Sequence, residues 1–219
     1  MASTSTRKYK TIPVFYGSNP GKDKAFTDMA IRLGEALAKE KISLIYGGGC
    51  MGLMGTVATS ANNKGSAVLG IIPRVFKENA ICGPTIGKEL PVWSIPDRIA
   101  LMFDMADAFI ALPGGFGTLE EISCIISRLS FLVHKKLICL LNVNNYYNNL
   151  LLFLDNVVEN GFVSTEARNV LISAETVEEL LDKLQAFEYH PNLITQQIAE
   201  SRKRKRYANK REMDLTLSL

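Results

Sequence analysis

Side chains that bind metals or carry redox chemistry are scarce in this chain. Across 219 residues there are two histidines and four cysteines. Cys50, Cys82, Cys124 and Cys139 show no Cys-x-x-Cys spacing, and three of them sit in apolar surroundings. That suits reduced thiols of an intracellular protein better than a disulfide frame or a zinc site. His134 stands beside Lys135-Lys136 and His190 beside Pro191, and neither has a partner at ligand spacing. No metal and no cofactor is expected. There is no Gly-x-Ser-x-Gly elbow and no glycine loop ending in Gly-Lys-Ser/Thr, which argues against a serine hydrolase and a Walker-type nucleotide hydrolase. No run approaches the roughly 18 apolar residues of a membrane span, and Met1 to Lys10 lacks the apolar core of a signal peptide. A soluble, cytoplasmic protein with no membrane partner is the expectation.

Net charge is also small, +3, and unevenly placed. Arg202-Lys203-Arg204-Lys205-Arg206 and Lys210-Arg211 put the basic excess near the C-terminus and leave the body slightly acidic, so the main domain is not expected to bind nucleic acid. The tail reads as a solvated basic end, a nuclear-import signal or a nucleic-acid contact, the import reading adding a nuclear pool to the cytoplasmic one. With 47% hydrophobic residues the chain can build one substantial core. The expected layout is a flexible N-terminus over 1–10, one domain over 11–189 and a basic, disordered tail over 190–219.

The stretch from Asp107 to Glu121 organises the rest. A short apolar run, Phe109 to Leu112, stops at Pro113-Gly114-Gly115-Phe116-Gly117, and Leu119, Ile122, Ile125, Ile126 and Leu129 follow at helical spacing. A glycine turn between strand and helix leaves backbone N–H groups at the positive end of a helix dipole, and it lets an anion approach closely. The same residues also fit a capping box, with Thr118 as N-cap and Glu121 three residues on. Local sequence leaves both open.

Two further strand-like runs end in glycine turns. Thr11 to Tyr16 leads into Gly17-Ser18, and Ile42 to Tyr46 leads into Gly47-Gly48-Gly49. Gly47, Gly49 and Gly52 satisfy the Gly-x-Gly-x-x-Gly pattern, but the next strand, Ala67 to Ile72, runs into Pro73-Arg74 with no acidic residue for a ribose 2′-hydroxyl. This disfavours a dinucleotide and leaves a mononucleotide or sugar phosphate. Residues 75 to 89 read as an irregular loop, Leu90 to Trp93 as a strand, and Ser94 as the cap of a helix with Pro96 in its first turn. Strands at 137–141 and 170–173 and helices at 150–159 and 176–187 complete the domain. Regular alternation predicts an α/β fold with a Rossmann-like, doubly wound parallel sheet and helices on both faces. Ligands of such sheets lie beyond the carboxyl ends of the strands, where all three glycine turns fall. Reactive groups near that crevice are Glu120 and Glu121, about 100° apart around a helix, and Arg98.

Pro113-Gly114-Gly115-Phe116-Gly117-Thr118-Leu119-Glu120-Glu121 resembles the P-G-G-x-G-T-x-x-E motif of the LONELY GUY family, the plant cytokinin riboside 5′-monophosphate phosphoribohydrolases once mislabelled lysine decarboxylases. The likeness extends through Gly17-Ser18, Tyr46 to Gly49, Gly52-Leu53-Met54-Gly55, Ala106 to Leu112 and Tyr146-Tyr147-Asn148, from about residue 10 to 187. It implies a Rossmann-like homodimer that releases a free cytokinin base from the nucleotide and leaves ribose 5-phosphate. It also implies that Arg98 and Glu121 are the catalytic pair. The substrate would be held by Gly17, Ser18, Gly47, Gly48, Gly114, Gly115, Phe116, Gly117, Thr118, Leu119, Glu120 and Ser127.

Some positions depart from the family pattern. Where members read Met-His-Glu-Arg-Lys, this chain has Ile95-Pro96-Asp97-Arg98-Ile99 and lacks the lysine. A glutamate expected near position 80 is Ala80, with Glu78 close by, and the segment Ser127 to His134 differs from the family's. Ala80 and Ile99 favour an alternative, a catalytically weak or inactive nucleotide-binding homologue acting as a dimer partner or sensor. Arg98 and Glu121 favour the enzyme. A pyridoxal-phosphate decarboxylase has no support, since no lysine falls in the expected crevice.

Overall fold

The computed structural model describes residues 9–78, 82–131 and 136–188. Ala80, His134, His190 and the basic tail lie outside the described residues.

In chain order the elements are β1 (Thr11–Phe15), α1 (Lys24–Lys39), β2 (Ser43–Tyr46), α2 (Gly52–Asn63), β3 (Val68–Pro73), α3 (Arg74–Glu78), β4 (Lys88–Val92) and α4 (Ile95–Met105). There follow β5 (Phe109–Ala111), α5 (Phe116–Phe131), β6 (Ile138–Leu141), a 3₁₀ turn at Val143–Asn145, α6 (Asn148–Glu159), α7 (Thr165–Arg168), β7 (Leu171–Ala174) and α8 (Val177–Ala186). All strand pairings are parallel, in the seven-stranded order β4-β3-β2-β1-β5-β6-β7. The expected doubly wound α/β sheet is therefore present.

Strand periodicity divides the core between two faces. Ile12, Val14, Leu44, Ile110 and Cys139 point to one side and pack with α1, α2 and α8. Phe15, Ile45, Phe109, Ala111, Ile138 and Leu140 point to the other and pack with α4 and α5. Such two-sided burial is why the strands read as continuous apolar runs. Asp23 caps α1 by accepting from Ala25 N, and Ser94 caps α4 by accepting from Asp97 N, with a proline at the start of α4. Gly34 lets α1 approach α2: an added Cβ would stand 2.7 Å from Val57 O.

The structure differs from the sequence reading in three places. The segment 75–89, expected to be irregular, contributes α3 and the start of β4, the exposed edge strand. The four-residue α7 has no counterpart in the periodicity, being too short to show one. Tyr9 and Lys10, assigned to the flexible N-terminus, belong to the fold. Tyr9 is buried in the first core face, and Lys10 N donates to Asp107 Oδ2 at 2.7 Å.

Candidate active site

The order of strands reverses direction between β1 and β5, and there the two connecting turns touch. Leu112 N donates to Phe15 O at 2.8 Å and Gly17 N donates to Pro113 O at 3.1 Å. Gly114 sits at this contact, because an added Cβ would fall 2.1 Å from Thr118 Oγ1 and 2.8 Å from Gly17 N. Two tyrosines after β6 hold the β5 turn from behind: Tyr147 donates to Leu112 O, and Tyr146 donates to Gly114 O at 2.6 Å. The turn after β2 joins through Met54 N, which donates to Gly17 O at 3.3 Å.

A cavity of about 350 Å³ opens at this junction. Of the residues singled out in the sequence, Gly17, Ser18, Gly47, Gly115, Phe116, Gly117, Thr118, Glu120, Arg98 and Glu121 line it. Gly48, Gly114, Leu119 and Ser127 do not. Gly48 has φ +88°, and an added Cβ would meet Ile72 at 2.9 Å, so packing accounts for it. Leu119 packs against the second core face, and Ser127 is exposed further along α5. Tyr16, Met54, Phe76 and Ile95 line the cavity although they were not singled out. Only Tyr16 had a usable signal, its place directly before Gly17-Ser18.

Helix α5 starts at Phe116, so Thr118 lies in its first turn and is not its cap. The capping-box alternative therefore fails, and Glu121 has another partner. Arg98 Nη2 donates to Glu121 Oε1 at 2.7 Å, with both side chains about nine-tenths buried. The guanidinium lies against the β2 turn, 3.4 Å from where a Cβ on Gly47 would be. Arg98 Nε is buried without a hydrogen-bond partner, and so is Tyr16 Oη.

Burial pushes the Glu121 carboxyl up to about 7, with Arg98 pulling the other way and Glu120 adding to the rise. A carboxyl poised near neutrality can both accept and give a proton at working pH. Tyr16 is held well above its ordinary range by burial, then by Tyr46 and Glu121. Gly115 and Gly117 have nothing but adjoining chain within 4 Å of an added Cβ, so no neighbouring side chain crowds the start of α5, the end of a helix that suits an anion. Ile99, where the family pattern has a lysine, is buried in the second core face and does not line the cavity. Among the described residues no cluster of His, Cys, Asp or Glu could hold a metal ion.

Fold and cavity together define a Rossmann-like α/β protein with a glycine-lined crevice beside a buried arginine–glutamate pair. The family model described as "Possible lysine decarboxylase" matches residues 54–184, yet no lysine is among the residues lining the cavity. The chain is 43% identical to the cytokinin riboside 5′-monophosphate phosphoribohydrolase LOG7 of Arabidopsis thaliana, over 90% of this chain and 91% of that one. It is 45% identical to LOG4 of the same plant, over 84% and 85%. A probable phosphoribohydrolase of rice, LOGL6, is 44% identical over 82% and 72%. This chain belongs to the LONELY GUY family, that of the cytokinin riboside 5′-monophosphate phosphoribohydrolases. More distant in sequence, the molybdenum cofactor binding protein of Rippkaea orientalis matches with a TM-score of 0.61 at 19% identity, covering 83% of this chain and 98% of that one. The molybdenum cofactor carrier protein of Chlamydomonas reinhardtii matches at 0.58 and 19%, covering 81% and 96%. Both likenesses are of fold.

Proposed function

We propose that this protein hydrolyses the N-glycosidic bond of cytokinin nucleoside 5′-monophosphates, releasing the free base and ribose 5-phosphate. The observation that carries the reading is the Arg98–Glu121 pair at 2.7 Å, buried in the same cavity as the open glycine turn at the start of α5. The 5′-phosphate binds the N–H groups from Gly115 to Thr118, where the helix dipole favours it and no side chain intervenes. Holding that remote group fixes the ribose, so binding energy goes into orientation at the anomeric carbon. The base with its N6 substituent lies against the apolar side of the cavity, offered by Phe76, Ile95 and Phe116.

Breaking the bond builds positive charge on the ribose. The Glu121 carboxylate stabilises that charge and takes a proton from the attacking water, whose oxygen joins the anomeric carbon as the base leaves with the bonding pair; that proton then passes to the base nitrogen, which frees the base and restores the carboxylate. Arg98 keeps the carboxylate in place and, being permanently charged, orients the substrate. The protein acts as a homodimer in the cytoplasm with an additional nuclear pool. Light scattering on the purified chain tests the first of these statements and imaging of a fluorescent fusion tests the second.

The decisive assay offers purified protein isopentenyladenosine monophosphate, AMP and the unphosphorylated riboside and measures free base. Release from the cytokinin nucleotide, with little or none from the riboside, is expected. Tight binding of the nucleotide without release would favour the inactive homologue, for which Ile99 in place of lysine speaks. Burial of Ile99 away from the cavity weighs against that alternative, because no cavity group is lost there.

A further inference from the structure

Three successive carbonyls of the β5 turn accept hydrogen bonds from behind it. Leu112 O accepts from Tyr147 Oη, Pro113 O from Gly17 N at 3.1 Å, and Gly114 O from Tyr146 Oη at 2.6 Å. The first two belong to the packed seam of the sheet. The third lies at the surface, where Tyr146 is 46% exposed and water can satisfy a carbonyl as well as a phenol does. A tyrosine is therefore not needed there to pair a buried acceptor. What it adds is direction.

A trans peptide points its C=O and its N–H opposite ways. Gly114 O is turned to Tyr146, which does not line the cavity, so Gly115 N–H points away from that ring, and Gly115 is on the cavity wall. A peptide between two glycines is free to flip, because the rotation that reverses it carries φ of the second residue to a positive value that glycine adopts readily. Neither Gly114 nor Gly115 has a positive φ in the orientation observed. The Tyr146 ring is itself fixed, edge-on to Phe26 at 6.0 Å and to Tyr147 at 5.0 Å. The loop that delivers it holds Asn144 and Asn145 at φ +51° and +59°, a costly backbone for side-chain-bearing residues. That loop is tied down by Asn144 Nδ2 donating to Asp23 Oδ2 and by Tyr147 N donating to Asn142 Oδ1, each at 2.7 Å.

Taking a phosphate on this turn from the function proposed above, we infer that Tyr146 is a positioning residue that locks the Gly114–Gly115 peptide with its N–H toward the 5′-phosphate. Tyr146 acts through that peptide and touches no substrate. Without its hydroxyl the peptide samples both orientations, and in the flipped one the Gly114 carbonyl faces the phosphate and repels it. Affinity for the phosphate then falls while the rest of the cavity is untouched.

The test is calorimetric titration of the full chain with ribose 5-phosphate and with the free base isopentenyladenine, for the wild type and Tyr146→Phe, which keeps the ring and its packing. Loss of the hydroxyl should weaken ribose 5-phosphate about tenfold, the scale of one hydrogen bond to a charged group, and leave the base unchanged. In amide NMR spectra the Gly115 resonance should shift when inorganic phosphate is added to the wild type, and shift much less in the variant. Equal affinity of the two proteins for ribose 5-phosphate overturns the inference. So does a wild type that binds no sugar phosphate or whose Gly115 amide ignores phosphate. Parallel weakening of sugar phosphate and base also overturns it, since that would mean a general loosening of the site. Base release is measured separately, so a chain that passes these tests but hydrolyses nothing sinks the hydrolase reading alone.

Discussion

Arg98 and Glu121, 23 residues apart and on different helices, meet at 2.7 Å inside the cavity with little of either side chain exposed. A pair this enclosed is not a surface ion pair of small consequence. Glu121→Gln keeps the shape and removes the charge. It should lower base release by roughly 10² to 10⁴, the range of a general acid–base group, with an unchanged circular dichroism spectrum. Arg98→Ala should be equally damaging and should also move the pH midpoint of any residual rate upward, since Glu121 loses the charge that favours its ionised form. A Glu121→Gln enzyme at the wild-type rate would return that residue to a structural role.

The carboxyl of Glu121, pushed up from 4.5 to about 7 by burial, ties stability and activity to pH in opposite directions. Between those values the folded chain holds a proton that the unfolded chain has released. The group's contribution to stability is therefore complete below 4.5 and is lost as pH rises through 7. The full span corresponds to roughly 3 kcal/mol. Hydrolysis needs the ionised form, so kcat/KM should climb about tenfold per pH unit below 7 and level off above it. Glu121→Gln should lack the stability decline in thermal melts from pH 5 to 8. A flat rate profile across that interval would count against Glu121 as the ionising group.

Glycines of the β5 turn should respond differently to a methyl group. At Gly115 and Gly117 a new Cβ meets no protein atom within 4 Å, whereas at Gly114 it would strike Thr118 and the Gly17 backbone. Gly117→Ala, inside α5, should gain up to about 1 kcal/mol in stability from helix propensity. Both Gly115→Ala and Gly117→Ala should nevertheless raise KM for the nucleotide about tenfold or more, because the methyl displaces the phosphate from hydrogen bonds worth about 1.5–3 kcal/mol each. Gly114→Ala should instead lower the melting temperature. Unchanged KM in the first two would remove the phosphate from this turn.

Truncation at His190 removes the basic run Arg202 to Arg206 with Lys210-Arg211. Base release by the shortened chain should equal that of the full one. A fluorescent fusion of the full chain should show a nuclear pool that the truncation reduces. Loss of activity on truncation would mean that the tail contributes to the site or its assembly.

Sheet, helices and glycine turns were legible because apolar periodicity and glycine placement are local properties. Residues 74–78 and 165–168 escaped because one turn of helix has no period to detect. Local pattern alone left Glu121 ambiguous, because Thr-x-x-Glu before an apolar run describes a cap as well as a reactive group; the start of α5 at Phe116 removes the cap, and Arg98 is the partner that Glu121 has instead. Gly48 misled for a related reason. It sits in a glycine-rich turn that borders the cavity, but its positive φ and contact with Ile72 come from packing between strands. Tyr16 reads as the end of an apolar strand, and nothing local reveals that its hydroxyl lacks a partner.

The seam between β1 and β5 has a kinetic consequence. Lys10 N and Thr11 N both donate to Asp107 Oδ2, across 97 and 96 residues of chain. Gly17 and Gly47 lie on the N-terminal side of that seam, and the β5 turn lies on the other. Each half can form its own strand–helix–strand units early, but closing a loop of such length is entropically costly and slow. A refolding chain should therefore regain its helical signal before it can bind a phosphorylated sugar, and the lag between the two would time the closing of β1 onto β5.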